Sequence, residues 1–477
     1  LTLAVFLRIF FLSQYGDFWG DEMFSFTYSQ KPWLGSIKFW LWETNPPLHL
    51  FLLKIWFYLV PANEITARLL SIIIGTASVF FLYKLMRKIF NQKIALLAAF
   101  FLAVHPYHIF VSITARTYAL LILLSILSVT FFYQIFIEKN KNRKNFFGYA
   151  AINLLLLSSH LTAAVVLLSQ IVALLIINRR EFVSWIKIMI IPGIIWLAWM
   201  IPSLTYKISL SFFGTAWYFG LNKSGINLLH TLQSVFQGPN NKYLGGFIIV
   251  AFFVLLFLDI YKQKKTNKIN PHIITFSTFI LIPFLLFTFT GMWNIKFFII
   301  TMPWTVVLTA YLFNQYLPQS LTYIAIILLA AQNLIGLSQI LPINNWQTVN
   351  NYLSQKYNTN QKQTVIYEHF FDKMLIDRYY QANIPAIPYT EGNQASQPVD
   401  YSIITTNYAM YIRPEQEIKK WLDDNNVEKN DEIFLLHKDD LGININKKLE
   451  ERGWILVDTF YPRLLEYTEL LHYVRNK

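Results

Sequence analysis

The sequence predicts an all-α polytopic membrane bundle with a small C-terminal α/β domain. Three observations predict it. Of 477 residues, 55% are hydrophobic and only 14% charged, against roughly 25% charged in soluble domains. Up to about residue 340 the apolar residues come in helix-length runs punctuated by basic clusters. From Asn344 the composition turns polar, and short strand-like runs alternate with amphipathic helical patterns.

Leu1–Leu12 is shorter than the roughly 20 apolar residues a spanning helix needs. We read it as the second half of a first transmembrane helix whose start is truncated; a signal-peptide remnant is the alternative. The runs 65–86, 94–110, 118–137, 146–159, 161–177, 182–204, 243–259, 273–290, 297–313 and 321–340 follow. Basic residues cluster at 84–93, 139–144, 179–187 and 262–268, after every second crossing, and the positive-inside rule makes these clusters cytoplasmic. Parity then puts residues 15–49, the turn near Pro106, His160, the loop 206–242, the 291–296 turn and the polar tail outside. The short run 47–60, which carries Lys54, has both ends outside, so it reads as interfacial or re-entrant. The expected architecture is roughly 11 transmembrane helices plus external juxtamembrane helices. Residues 1–340 form the membrane domain, with an external loop at 13–64, and 341–477 an extracytoplasmic α/β domain.

The tail holds strand-like runs at 364–370, 401–406, 432–437 and 454–461 and helix-like patterns at 345–357, 372–381, 414–424 and 443–452. It has no Gly-rich phosphate loop and no Walker motif. The net charge of +13 does not imply nucleic acid, because cytoplasmic loops collect Lys and Arg. The chain has no cysteine, hence no disulfide and no thiolate metal site.

Chemistry concentrates between Tyr15 and His49, a stretch too polar to span and too aromatic for an ordinary solvated loop. It holds Asp21 and Glu22, adjacent carboxylates at the expected external interface. A carboxylate there can take the proton of an acceptor hydroxyl that attacks a sugar. This suits a lipid-linked donor, whose phosphate lies at the same depth. Adjacent carboxylates point different ways, so one base and one supporting residue are expected. Glycoside hydrolysis would need a separated pair, which Asp17 or Glu43 could supply only by folding back. The plain alternative is a charged loop facing water. Asn45-Pro46-Pro47-Leu48-His49 starts a helix rigidly, and Asn45 and His49 are candidates to face polar substrate. Arg68, Arg116 and Lys296 sit at external helix ends, where a lipid phosphate would pair them; the alternative is snorkelling to lipid headgroups. His105, His108, His160 and His230 lie on different external turns without HExxH-like spacing, so a divalent metal is not indicated. The loop 206–242 is a candidate lid.

FWGDEMFSF, then NPPLH, then ITARLLS, then LAVHPYHIFVSITARTYALLILL follow in that order. Together they resemble the membrane glycosyltransferases of the GT-C superfamily, particularly the bacterial relatives of protein O-mannosyltransferases and of the lipid A aminoarabinose transferase. The likeness is strongest over 15–135 and stays in register through 294–310; the tail resembles the external domain of such enzymes. It implies many transmembrane helices with juxtamembrane helices, a polyprenyl-phosphate sugar donor, inversion at the anomeric carbon and a site facing outward from the inner membrane. It makes Asp21 the expected base with Glu22 beside it, and puts Arg68, Arg116, Tyr118 of the RxY element and Lys296 near the lipid phosphate. The chain departs from the pattern at Asn45, where His is common, at His49, where Tyr is common, and at Thr114-Ala115, where Glu often precedes the Arg. The last departure puts a second acidic catalytic residue there in doubt; the first two imply a different sugar or acceptor.

The sequence therefore predicts an integral membrane glycosyltransferase needing no nucleotide or cofactor. Its partners would be a polyprenyl-phosphate-linked sugar, membrane lipids and an acceptor that is lipid, glycan or protein. A transporter or flippase for a lipid-linked glycan is the alternative, and a non-catalytic envelope assembly protein a third.

Overall fold

The computed structural model describes residues 1–42, 45–201, 235–236, 242–266, 270–290, 295–340, 344–367, 373–389, 415–437, 445–462, 464 and 469–475. The fold divides into two compact units, Leu1–Leu12 with Pro32–Leu341 and Ser13–Lys31 with Pro342–Lys477. Residue 43, most of the loop 206–242 and the strand-like run 401–406 lie outside the described residues.

The first unit is helical. Its elements are α1 (Thr2–Leu12), α3 (Trp33–Trp42), α4 (Leu48–Trp56), α5 (Glu64–Ile89), α6 (Gln92–Val104), α7 (Pro106–Ser112), α8 (Tyr118–Phe132), α9 (Arg143–Leu157), α10 (Ala163–Asn178), α11 (Phe182–Met200), α12 (Lys242–Lys265), α13 (Pro271–Thr290), α14 (Ile295–Phe298), α15 (Met302–Tyr316) and α16 (Gln319–Ile340). Among the described residues six segments are long and apolar enough to cross a membrane, or seven if the bent pair α6–α7 counts as one. At nine residues, α4 spans only about 14 Å, too little for a bilayer.

Local chemistry sets the boundaries. Asn63 and Thr66 form a reciprocal capping box that opens α5. Asn91 and Asn142 cap α6 and α9 by accepting from the backbone of Ile94 (2.9 Å) and Asn145 (2.7 Å). The apolar run 94–110 reads as one segment, yet α6 and α7 meet at 63°. Pro106 causes the break: it disfavours helical backbone at His105, which is extended (φ −68°, ψ 122°), and then opens α7 at its first position.

Buried polar groups lock the bundle. Trp185 Nε1 donates to Tyr149 Oη (2.9 Å), which in turn bonds Gln170. Gln170 donates to Ser128 (2.7 Å), Ser128 to Asn153 (2.6 Å), and Asn153 to the Tyr149 carbonyl (2.9 Å). One chain of hydrogen bonds thus ties α8, α9, α10 and α11. Among apolar side chains each of these groups would be costly unpaired.

The second unit holds α2 (Gly20–Gln30), α17 (Trp346–Lys356), α18 (Lys373–Tyr379), α19 (Glu415–Asp424) and α20 (Ile445–Glu451). Its five strands are β1 (Gln363–Tyr367), β2 (Ala386–Pro388), β3 (Glu432–His437), β4 (Trp454–Phe460) and β5 (Glu469–Arg475). They form one mixed sheet of order β2-β1-β3-β5-β4. β1 lies parallel to β2 and β3, with Val365 opposite both Ala386 and Phe434, while β5 runs antiparallel to β3 and β4. The amphipathic α19 and α20 bury Ile418, Trp421, Leu422, Ile445 and Leu449 with Ile433, Leu435 and Tyr473 of the sheet.

Residues ahead of α2 are stitched to α17. Asp17 N donates to Asn344 O and the Asp17 carboxylate accepts from Trp346 N, both at 2.9 Å. A Cβ at Gly16 would overlap the Asn344 carbonyl, so only glycine fits this close approach. Asp17 thus supplies from far along the chain what an N-cap side chain usually supplies locally. We expect Asp17→Ala to lower stability by about 1–2 kcal/mol and Asp17→Asn, which keeps an acceptor, to cost less. Hydrogen exchange of the Trp346–Asn350 amides checks this: the Ala variant should lose protection there first.

Candidate functional site

The carboxylate pair stands in the first turn of α2, where the positive end of the helix dipole favours it. The aromatic loop of the sequence is, at this point, a helix. Consecutive helical residues are turned by about 100°, and the environments of the pair differ accordingly: Asp21 is half-buried and Glu22 buried. Ser25 Oγ donates to the Asp21 carbonyl (3.1 Å). Phe18 N donates to Tyr379 Oη (3.0 Å), and the Arg378 guanidinium lies over the Phe26 ring at 4.8 Å. α2 is therefore pinned to α18 within the second unit, just after the Asp17 clamp.

The predicted cations lie in the first unit. Arg8 of α1 is fully buried; its Nη1 donates to Ala4 O (2.7 Å) and its Nη2 bonds His108 Nδ1 (2.6 Å). An arginine can only donate, so His108 Nδ1 accepts and Nε2 carries the proton toward Ser78 Oγ at 2.8 Å. A Cβ on Gly75 would overlap Ser112, so α5 and α7 meet at close range there. These contacts fix α7 and hence the loop 113–117, in which Arg116 N donates to Thr114 O (2.8 Å).

The bend between α9 and α10 meets this loop. Thr117 Oγ1 donates to Ser159 O (2.8 Å), and the Tyr118 and His160 rings lie 5.6 Å apart. Leu48 N donates to Ser158 O (3.0 Å), bringing the NPPLH start of α4 to the same bend. His49 is buried, and its Nε2 has no hydrogen-bond partner among the described residues. Burial, and after it the charge of Arg116, pushes the His49 imidazolium down to about 3. Burial, then Arg116 and Lys296, does the same to His160, also to about 3. Thr162 N donates to His160 Nδ1 (3.2 Å), so the His160 proton resides on Nε2.

Arg116, Lys296, His49, Tyr118 and His160 thus gather at one end of the bundle, the cations half-buried. Two fixed cations with neutral N–H donors beside them form a setting for a phosphate. Arg68 is buried near the start of α5, and Asn45 is half-buried just ahead of the Leu48–Ser158 contact. Reading the sequence misses that His160 lies in the field of Arg116 and Lys296; its signal is a lone histidine at a tight bend between two apolar runs. His105 Nε2 bonds Val235 O (2.8 Å) and His108 bonds Arg8, so these histidines serve other partners. Among the described residues no three His, Asp or Glu side chains gather as metal ligands.

In the folded protein His49 and His160 stay neutral down to about 3, whereas in the unfolded chain they take a proton near 6.5. Protons therefore favour the unfolded state as pH falls through that window, and stability is lost from about 6.5 downward. The melting temperature in detergent should fall between about pH 7 and about pH 4. His160→Gln should shrink that fall, and an unchanged pH dependence in the variant would count against neutral burial.

A family profile described as dolichyl-phosphate-mannose-protein mannosyltransferase matches residues 44–206. No curated protein matches the chain by sequence. The crystal structure of ArnT from Cupriavidus metallidurans bound to undecaprenyl phosphate is 12% identical, with a TM-score of 0.59, covering 99% of this chain and 96% of that one. The apo ArnT structure from the same organism gives 12% identity and 0.53 over 90% of this chain and 87% of that one. The apo oligosaccharyltransferase of Archaeoglobus fulgidus gives 11% and 0.48 over 82% and 61%. By the family profile over residues 44–206 and by a fold shared with ArnT along nearly its whole length, this membrane-helical chain resembles the GT-C superfamily of membrane glycosyltransferases.

Proposed function

We propose that the protein transfers a sugar from a polyprenyl phosphate to an acceptor hydroxyl, with inversion, on the outer side of the inner membrane. The acceptor oxygen bonds the anomeric carbon as the bond from that carbon to the phosphate oxygen breaks. Asp21 takes the hydroxyl proton, and Glu22 supports the first turn of α2. Arg116 and Lys296 take up the charge developing on the departing lipid phosphate, with Arg68 a further cation for it. His160 and His49 add uncharged N–H donors, Tyr118 holds the His160 ring, and Asn45 meets the sugar. A lipid phosphate is a good leaving group, so no nucleotide is required. About 11 crossings would keep the catalytic residues and the polar tail on the outer side. The observation that carries this reading is the junction of the Arg116 loop with the His160 bend, through the Thr117–Ser159 hydrogen bond and the Tyr118–His160 ring contact, where the charges of Arg116 and Lys296 act on the buried His160. That the similar ArnT structure holds undecaprenyl phosphate supports the donor class.

The broken pair α6–α7 favours a second reading, a flippase for a lipid-linked glycan, since discontinuous helices mark transport sites. Sugar release separates the two. Membranes bearing the wild type or Asp21→Asn receive a panel of radiolabelled polyprenyl-phosphate sugars. The wild type should turn over at least one donor, and Asp21→Asn should be slower by about 100-fold or more. Arg116→Lys, which keeps charge but loses the planar fork, should fall between the wild type and Arg116→Ala. Equal turnover by wild type and Asp21→Asn would remove Asp21 as base; translocation of label without release would favour the flippase.

A further inference from the structure

A cavity of about 380 Å³ opens in the second unit beside the start of α17. Its walls carry Asn345, Trp346, Gln347, Asn350, Tyr379 and Gln381, with Gly16 and Asp17 at one side. We propose that it is a recognition site for a neutral sugar residue.

The lining chemistry selects the ligand. Amide side chains dominate, and an amide carries both a donor and an acceptor for hydroxyls; Gln347 and Gln381 present theirs at the exposed rim, whereas Asn350 spends its own on the Tyr379 carbonyl and the Gln381 N–H. Among the described residues no lysine or arginine lines the cavity, and the carboxylate of Asp17 disfavours anions. An apolar ligand would strand the amides. Trp346 is buried and stacks on Tyr379 at 6.5 Å and 15°, which fixes the half-buried Tyr379 ring as a wall that the C–H face of a sugar can meet. A phosphate or an acidic glycan therefore fits poorly and a neutral polyol fits well.

The walls are also formed in advance. Asn350 Nδ2 donates to Tyr379 O (2.8 Å) and its Oδ1 accepts from Gln381 N (2.9 Å). Tyr379 Oη accepts from Phe18 N (3.0 Å), and Asp17 holds Trp346 N (2.9 Å). Each wall is tied to the next, so a ligand meets fixed groups and little ordering cost is left to it. Gln347 and Gln381 remain exposed at the rim. The cavity includes Asp17, four residues before Asp21, so it belongs to the same short segment as the carboxylate helix. Its use as the acceptor's docking site rests on the glycosyltransferase reading; the binding of a sugar does not.

The test is saturation-transfer NMR and tryptophan fluorescence on the full-length protein in detergent. The probes are methyl glycosides of neutral hexoses and of N-acetylhexosamines, with methyl glucuronide as the anionic control. At least one neutral glycoside should saturate the wild type and outcompete the glucuronide. Gln347→Ala/Gln381→Ala, which alters two rim side chains, should weaken that binding by about 10-fold or more, the loss of about 1.4 kcal/mol. Asp21→Asn should leave it unchanged, so loss of the base assignment and loss of this site are read separately. No saturable neutral glycoside, equal binding by the rim variant, or preference for the glucuronide would each overturn the proposal.

Discussion

A cation or amide within an apolar bundle must find its partners inside that bundle, and this constraint organises the first unit. Arg8 is the sharpest case. Fully buried on α1, it spends its guanidinium on the Ala4 carbonyl and on His108, which passes a proton-bearing nitrogen to Ser78 of α5. Removing any member would leave another buried polar group unpaired. The chain therefore fixes α7, and α7 fixes the loop that carries Arg116.

A second buried network acts on the other side. Ser128, Tyr149, Asn153, Gln170 and Trp185 hold α8 to α11 in one arrangement, which sets the bend from Ser158 to Thr162. The two networks meet where Thr117 donates to the Ser159 carbonyl. Through this contact His160 comes to lie in the field of Arg116 and Lys296. Because His49 and His160 are buried beside cations, they remain neutral, so the site offers more donors without more positive charge. The charge of the two imidazoles therefore does not change as pH varies around neutrality.

The second unit solves a different problem. Its sheet buries a core of its own, and its first helix, α2, comes from far earlier in the chain. The Asp17 clamp, the Phe18–Tyr379 hydrogen bond and the Arg378–Phe26 contact tether that helix to α17 and α18. The carboxylates are thus built on a polar, water-compatible unit, and the cations on apolar helices. Each group sits where its scaffold can order it: the carboxylates at a helix N-terminus, the cations among hydrogen-bonded helix ends.

Much of this was legible in the amino-acid sequence. Hydrophobic runs and basic punctuation reveal a membrane bundle, and the polar patterns after Asn344 mark α17 to α20 and β1, β3 and β4 closely. Adjacent carboxylates and cations at helix ends stand out because charge is rare among so many apolar residues. β5 and β2 were harder to see: β2 is only three residues long, and β5 follows a run without a clear turn. What periodicity could not reveal depends on residues distant in sequence. The break at Pro106 is local and still hides inside an apolar run, whereas the union of α2 with the tail joins residues more than 300 positions apart. His160 acquires its character only from Arg116 and Lys296, and Asp17 its cap only from Trp346. Composition and spacing determined which residue types the chain commits to membrane and to chemistry. The tertiary structure alone decided which of them meet, because burial and field at a side chain are properties of its neighbours in space.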